Sequence, residues 1–147
     1  DAPGGEAEML TNTPIYPFAA PALADQIQTP QDLSRQKLLV ERSGEPWENW
    51  FRLAGVDERD IPNVTRTWEA PLAVASAIAG QGVILTNPEI IDQDVADGRL
   101  VRVSDIGLSL GSYHLVFSAG ARRRRAVRLV ADWMLEQGAI WREVQTE

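Results

Sequence analysis

The chain contains no cysteine and only one histidine among its 147 residues. Without cysteine there can be no disulfide, thiolate nucleophile or thiolate metal site, and a reducing compartment such as the cytoplasm is favoured. A single histidine, with no acidic cluster at ligand spacing, gives no support for a metal site. No phosphate-binding glycine fingerprint is present either. We therefore expect neither a metal nor a cofactor.

Long apolar runs and an excess of positive charge are also lacking. No apolar run approaches the roughly 20 residues that cross a bilayer, and residues 1–6 lack the basic and apolar regions of a secretory signal. The formal net charge of -7 argues against a generic nucleic-acid-binding surface. A hydrophobic content of 44% is ordinary for a globular protein, and the length suits one domain.

The most regular pattern lies between Thr67 and Pro88. From Trp68, apolar residues recur at helical spacing and predict one buried face: Leu72, Ala75 and Ala79. Residues 80–82 (Gly-Gln-Gly) are typical of a helix end, residues 83–85 of a short buried strand, and Asn87-Pro88 of another helix start. This succession indicates an α/β sheet, in which helix N-termini beyond the strand ends favour small anions. Sheet and helix packing without a ligand fits the same pattern.

Periodicity predicts the other elements of the chain. We expect strands at 15–18, 38–40, 100–103 and 113–117, and helices opening at Pro21, Pro46 and about Ala121. Trp47 and Trp50 could form an aromatic binding surface, but their helical spacing with Phe51 favours core packing. The last helix is predicted to bury a stripe and to stop at Gly138. That stripe comprises Ala126, Val130, Trp133 and Gln137, with Val127, Ala131 and Met134 beside it.

One short motif suggests catalysis. Gly107-Leu-Ser109-Leu-Gly111 matches the nucleophile elbow of serine hydrolases. That elbow needs a helix after the serine, whereas a β-rich segment follows here, and His114 is the only histidine. A glycine-bounded loop is therefore favoured over a hydrolase built on Ser109. His114 itself could face a cleft, although a hydrogen-bonded structural histidine is favoured.

Five arginines are concentrated at residues 122–125 and 128. They could contact an anion, a partner or a nucleic-acid backbone, but a solvated helix face is favoured. Adjacent arginines near a helix start oppose the helix dipole, so an acidic neighbour or an oligomer contact could offset them. The triplet Asn63-Val-Thr65 matches a glycosylation signal, which we set aside because the expected compartment is wrong.

Short segments spread over most of the chain carry a family resemblance through their order and separations. They are Pro17-Phe-Ala-Ala-Pro21-Ala-Leu23, Thr29-Pro30-Gln-Asp32-Leu33, Leu38-Leu39, Trp47-Glu-Asn-Trp50-Phe51, Gly55, Ala79-Gly80-Gln-Gly82-Val83, Pro88, Gly98-Arg99-Leu100-Val101, Tyr113-His-Leu-Val116 and Trp133-Met-Leu135. In these segments the chain resembles the effector-binding domain of LysR-type transcriptional regulators, in particular the subgroup of glycine-cleavage and β-lactamase-induction activators.

The resemblance implies an α/β, periplasmic-binding-protein type II-like effector domain. Residues of about 14–112 would form the second lobe, and about 113–147 the return strand and closing helix of the other. The winged helix-turn-helix and the leading part of the first lobe are expected to be absent from this chain. Such a domain is not an enzyme but a cytoplasmic sensor. A small, anionic effector would bind between lobes and modulate homo-oligomers that hold promoter DNA through the missing N-terminal domain.

The resemblance also suggests which residues contact the effector: Ala20, Thr67, Trp68, Thr86, Asn87, and at the return strand Tyr113 and His114. Thr67 could donate a hydroxyl and its helix could offer N–H groups to a carboxylate, while Trp68 supplies an apolar wall. Helix capping and core packing are the other explanation of Thr67 and Trp68. A periplasmic-type solute-binding protein, with a similar fold and cleft, is the alternative function.

Overall fold

The computed structural model describes residues 5–41, 43–63 and 67–143. The chain forms two compact units. The five-strand unit comprises Pro14–Leu108, and the two-strand unit combines Asp1–Thr13 with Ser109–Glu147. Residues 109–112, which the sequence placed with the second lobe, group with the two-strand unit.

The described residues contain strands and helices in mixed order. The strands are β1 (Glu6–Thr11), β2 (Tyr16–Ala19), β3 (Leu38–Glu41), β4 (Thr67–Trp68), β5 (Val83–Thr86), β6 (Val101–Arg102) and β7 (Tyr113–Phe117). The helices are α1 (Pro21–Ala24), α2 (Pro30–Leu33), α3 (Glu45–Leu53), α4 (Ala70–Ile78), α5 (Asp92–Ala96) and α6 (Arg125–Glu143). Short 3₁₀ turns occupy Glu58–Asp60, Pro88–Ile90 and Ala121–Arg123. In the part of the chain described here, no helix combines the length and apolar character needed to cross a membrane.

The five-strand unit is built on a mixed sheet with the order β4-β3-β5-β2-β6. Strand β3 runs parallel to both β4 and β5, whereas β2 runs antiparallel to β5 and β6. The predicted α/β sheet is thus confirmed. The expected helix start at Asn87-Pro88 is a 3₁₀ turn, which α5 follows.

Both faces of this sheet are covered, because alternate residues of each strand enter two separate clusters. Leu38, Val40 and Val83 pack with Trp47, Trp50 and Phe51 of α3, while Phe18, Leu39 and Ile84 pack with Ala73 and Ala77 of α4. The indole N–H of Trp50 donates to the carbonyl of Ile106 at 2.8 Å, and that of Trp47 to the carbonyl of Leu39 at 3.2 Å. The prediction that both tryptophans belong to the core is confirmed.

The helix expected from Trp68 starts later and turns another face inward. Thr67 and Trp68 instead form β4, and α4 begins at Ala70. The predicted face of Leu72, Ala75 and Ala79 was wrong, since all three are exposed. Ala73 and Ala77 are buried instead, because small side chains let the helix lie close to the sheet. Gly80 follows α4 with φ of 73°, as expected of a glycine helix end.

In the two-strand unit, β1 and β7 pair antiparallel and α6 packs beside them. Glu6 lies opposite Phe117, and Met9 lies opposite His114. The predicted helix stop at Gly138 was wrong, because α6 continues through it to Glu143. A Cβ at Gly138 would lie 2.2 Å from the carbonyl oxygen of Leu10. This glycine therefore permits close packing of the helix on β1.

The buried stripe of α6 also differs from the predicted one. Ala131, which was predicted beside the stripe, and Gly138 face inward, whereas Val130 and Trp133 are exposed. Ala126 and Gln137, the other members of the predicted stripe, are exposed as well. The close approach at Gly138 decides which side of the helix meets the strands, and apolar spacing alone does not contain that information.

Candidate functional site

Several predicted site residues gather where the parallel strands end. Glu41 of β3 pairs with Trp68 of β4. Leu39 pairs with Ile84, and continuing that register brings Glu41 level with Thr86. Because β2 is antiparallel, its first residue Tyr16 pairs with Thr86. We call this end of the sheet the carboxyl edge; it comprises Tyr16, Thr67, Trp68, Thr86 and Asn87.

Thr86 and Asn87 provide side-chain polar groups at the carboxyl edge. Thr86 is one of two buried polar or charged residues among those described, with 3% of its surface exposed. Asn87 follows it and is half-buried. For Thr67 and Trp68 the backbone lies at the edge, while their side chains lie outside the described part of the structure.

The first turn of α4 adds backbone donors to this edge. Only Glu69 separates the end of β4 from the start of α4, so the helix begins where the strand ends. The N-cap residue of this helix is Glu69, and its side chain makes no capping hydrogen bond with the described residues. Pro71 has no N–H group, which leaves the N–H groups of Ala70 and Leu72 as donors of the first turn. The positive end of the helix dipole favours a negative group here.

A cation and an aromatic ring also reach the carboxyl edge, and the sequence analysis missed both. The guanidinium carbon of Arg102 lies 4.0 Å from the centre of the Tyr16 ring. Tyr16 is packed against Gly107, where a Cβ would lie 2.7 Å from the ring. Gly107, two positions before Ser109, was the sequence feature that could have indicated a close contact here. It permits the approach of Tyr16, so it has a packing role that the hydrolase interpretation did not consider.

The surroundings of Ser109 differ from a nucleophile elbow. Leu108 exchanges two backbone hydrogen bonds of 2.9 Å with Ile15, and β7 rather than a helix follows the exposed Ser109. His114 lies in β7 and is exposed. Within the described ranges, no group of three or more histidine, aspartate or glutamate residues could hold a metal ion.

Of the other predicted site residues, one lies away from the carboxyl edge and two belong to the two-strand unit. Ala20 follows the last residue of β2 and is buried at the opposite end of the sheet, because β2 runs antiparallel to β5. Tyr113 and His114 begin β7 in the two-strand unit, and both are exposed. Their contribution to a site stays a prediction. In the Asn63-Val-Thr65 triplet, Val64 and Thr65 lie outside the described residues.

A mixed sheet with helices on both faces, and polar groups at the ends of its parallel strands, defines an α/β ligand-binding fold. The chain matches the LysR substrate binding domain over residues 1–139, and it belongs to that family. It shares the periplasmic-binding-protein type II-like fold of these effector domains.

Its similarity to individual proteins is consistent with this assignment. It is 30% identical to the HTH-type transcriptional activator AmpR of Rhodobacter capsulatus over 138 residues, covering 92% of this chain and 47% of that protein. It is 26% identical to the glycine cleavage system transcriptional activator of Escherichia coli K12 over 145 residues, covering 96% of this chain and 48% of that protein.

The solved effector domain of the transcriptional regulator AmpR of Pseudomonas aeruginosa has a similar fold. It superimposes with a TM-score of 0.80 at 25% identity, covering 100% of this chain and 71% of that one. The chain thus spans about half the length of the curated relatives and most of a solved effector domain. The resemblance to the glycine-cleavage and β-lactamase-induction subgroup is confirmed.

Proposed function

We propose that this chain is the ligand-sensing part of a LysR-type transcriptional regulator and that its carboxyl edge binds a small anionic effector. The observation that carries the proposal is the register of the sheet. It puts the Thr86 hydroxyl, the first turn of α4 and the Arg102–Tyr16 pair at one end of one sheet. Ala20 is not included, because the same register takes it to the other end.

The groups at this edge favour a carboxylate or a similar anion. Two N–H groups at a helix start, a hydroxyl and a guanidinium can all donate hydrogen bonds to oxygen. Thr86 is nearly buried, so water competes little for its hydroxyl and a hydrogen bond to a ligand oxygen is strengthened. Glu69 opposes binding, since its carboxylate adjoins the helix start. The ligand must therefore keep its own negative charge away from Glu69.

In the complete regulator, effector binding would bias a DNA-bound homo-oligomer towards one of two arrangements. A ligand can do so only if it binds those arrangements with different affinity. The DNA contacts would be made by a segment outside this acidic chain, and the protein would act in the cytoplasm without catalysing a reaction. The relatives carry the names of transcriptional activators, which favours this function over a solute-binding protein.

A matched pair of probes tests the site. Acetate and acetamide have nearly the same shape but differ in charge, so ¹H–¹⁵N NMR titrations with each separate an anion site from a general polar one. We expect acetate to shift the amide signals of Leu72, Thr86 and Asn87, and acetamide to shift them less. Thr86→Val should weaken acetate binding about tenfold, since a hydrogen bond to a charged group contributes about 1.5–3 kcal/mol.

Ser34→Ala is the control, because Ser34 lies in the segment that leads into the other end of β3 and its hydroxyl donates to the carbonyl of Gln31. It should leave the titration unchanged. Equal shifts with both probes would contradict an anion site. Unchanged acetate affinity in a folded Thr86→Val variant would remove Thr86 from the site.

A further inference from the structure

The two-strand unit contains a polar cavity that the proposed effector site does not use. It has a volume of about 340 Å³ and is lined by Glu6, Ser118, Ala119, Gly120, Arg122, Arg123 and Arg128. It lies where Glu6 pairs with Phe117, at the opposite end of the β1–β7 pair from Tyr113. The residues between β7 and α6 form one wall, and Gly120 turns the chain there with φ of 74°.

Arg122 holds this wall in place. Its guanidinium contacts the carboxylate of Glu8 and lies 3.7 Å from that of Glu6. Its guanidinium carbon also lies 4.8 Å from the centre of the Phe117 ring. These contacts tie the turn that leads into α6 to β1 and β7. Arg122 is therefore already engaged with carboxylates of the protein.

Arg123 and Arg128 line the same cavity but form no ion pair within the part of the chain that the structure describes. Arg122 is paired with Glu6 and Glu8, so the positive charges of the lining that form no ion pair among the described residues are those of Arg123 and Arg128. The start of the 19-residue helix α6 adds the positive end of its dipole, which opposes these arginines. An anion in the cavity would offset both kinds of repulsion.

We propose that this cavity binds a dianionic phosphate group, either as inorganic phosphate or as a small phosphomonoester. A dianion matches the two positive charges of Arg123 and Arg128. Guanidinium groups bind phosphate oxygens through paired, charge-assisted hydrogen bonds, and Ser118 lines the same wall. The volume lies at the lower end of the range of small-molecule sites and leaves room for a polar substituent on the phosphate. The site is separate in residues and ligand from the carboxyl edge.

The proposal is tested by ¹H–¹⁵N NMR titration of the chain with inorganic phosphate and with glycerol 3-phosphate at constant ionic strength. We expect shifts confined to the amides of residue 6, residues 118–123 and residue 128. Arg123→Gln and Arg128→Gln should each weaken binding about tenfold, through loss of a charge-assisted hydrogen bond. Tighter binding of glycerol 3-phosphate would identify a phosphomonoester, and tighter binding of phosphate the free ion.

Two further variants make the test specific. Arg125→Gln is the matched control, because Arg125 belongs to the same run, is exposed and does not line the cavity. It should leave the affinity unchanged. Glu6→Gln removes the carboxylate from the lining and should tighten binding, while Glu8 still holds Arg122.

Three results would overturn the proposal. One is the absence of saturable shifts at residues 118–123. Another is an equal loss of affinity in Arg125→Gln, which would indicate attraction by the whole arginine run. The last is saturable binding of a short DNA duplex that depends equally on Arg123, Arg124 and Arg125, since the run would then contact a nucleic-acid backbone.

Discussion

Trp50 and Trp133 both lie on helices that pack beside a sheet, yet one is fully buried and the other is 61% exposed. Trp50 belongs to the five-strand unit, where α3 covers one face of the sheet and α4 the other. Trp133 belongs to the two-strand unit, where α6 packs with its other side towards the strands. The comparison shows that apolar spacing on a helix predicts an apolar face without predicting that this face is covered.

The two-strand unit exposes other large apolar side chains besides Trp133. They are Met9, Leu110, Tyr113, Val116, Leu129, Val130 and Ile140. A two-stranded sheet is marginally stable by itself and relies on what packs against it. The buried residues of this unit include Phe117 and Ala131. The five-strand unit, by contrast, has two clusters of buried residues. We therefore expect the five-strand unit to dominate the stability of the chain.

Replacing each of these tryptophans by alanine is the strongest test of the difference. Trp50→Ala should cost about 3–5 kcal/mol, because it leaves a cavity in the core and removes the hydrogen bond to Ile106. Trp133→Ala should change the free energy of unfolding by no more than about 0.5 kcal/mol, as for other exposed positions. Urea unfolding followed by circular dichroism measures both. A comparable loss in the two variants would show that the Trp133 face is covered in solution.

A pair of glycines extends the comparison to the backbone. A Cβ at Gly82 would lie 2.4 Å from the carbonyl oxygen of Lys37, and one at Gly138 would lie 2.2 Å from that of Leu10. Alanine at either position forces a backbone shift that costs about 1–3 kcal/mol. Gly138→Ala should lower the free energy of unfolding less than Gly82→Ala, because alanine has a higher helix propensity than glycine by about 1 kcal/mol and position 138 lies in α6.

Amide hydrogen exchange measured in β1 and β3 shows in which unit each variant loses stability. Gly80→Ala is the control without a clash, since nothing lies within 4 Å of a Cβ there and only the positive φ opposes alanine. A larger loss at Gly138 than at Gly82 would reverse the expected order and make the packing of α6 on β1 the tighter contact.

Acidification gives the smallest effect and acts on the five-strand unit. The backbone N–H groups of Gln28 and Thr29 donate to Asp32, and together with the Thr29 hydroxyl they lower the pKa of its carboxyl group. A carboxyl group whose pKa is lowered in the folded state adds stability above its unfolded pKa of about 3.9, and that stability is lost as the pH falls through the folded pKa.

Asp32→Asn should therefore be less stable than the parent at neutral pH, and the difference should vanish in acid. Urea midpoints measured from pH 7 to pH 2 provide the comparison. Asp25→Asn, at an exposed aspartate in the preceding turn, is the matched control for removing one negative charge from this segment. A difference between Asp32→Asn and the parent that is independent of pH would contradict a role for the charge.

Features that depend on neighbouring residues were predicted better than features that depend on contacts between distant parts of the chain. The spacing of Trp47, Trp50 and Phe51 predicted the buried face of α3, because bulky aromatic residues at helical spacing leave few other arrangements. The face of α4 was predicted wrongly, since nearly every residue of that helix is apolar and several faces fit the pattern equally well. In α6 the glycine taken for a helix end proved to be a packing position.

The same difference between local patterns and long-range contacts applies to the candidate site. Thr86 and Asn87 were chosen by resemblance, at the end of a strand that the local pattern of a glycine turn, a short apolar run and a proline had predicted. Tyr16 and Arg102 were not among the predicted site residues, because only the pairing of β2 with β5 and β6 brings Tyr16 level with Thr86 and Arg102 over the Tyr16 ring. Ala20 was chosen by resemblance, and the direction of β2 separates it from the others.

Local patterns in the amino-acid sequence predicted an α/β chain and most of its strands and helices, and the order of short segments carried the resemblance to the LysR substrate-binding family. Those patterns depend on backbone preferences and on the spacing of neighbouring residues, which sequence displays directly. Strand direction, register and the covered face of each helix emerged only in the folded chain. They depend on contacts between residues far apart in sequence, and the same local pattern is compatible with several such arrangements.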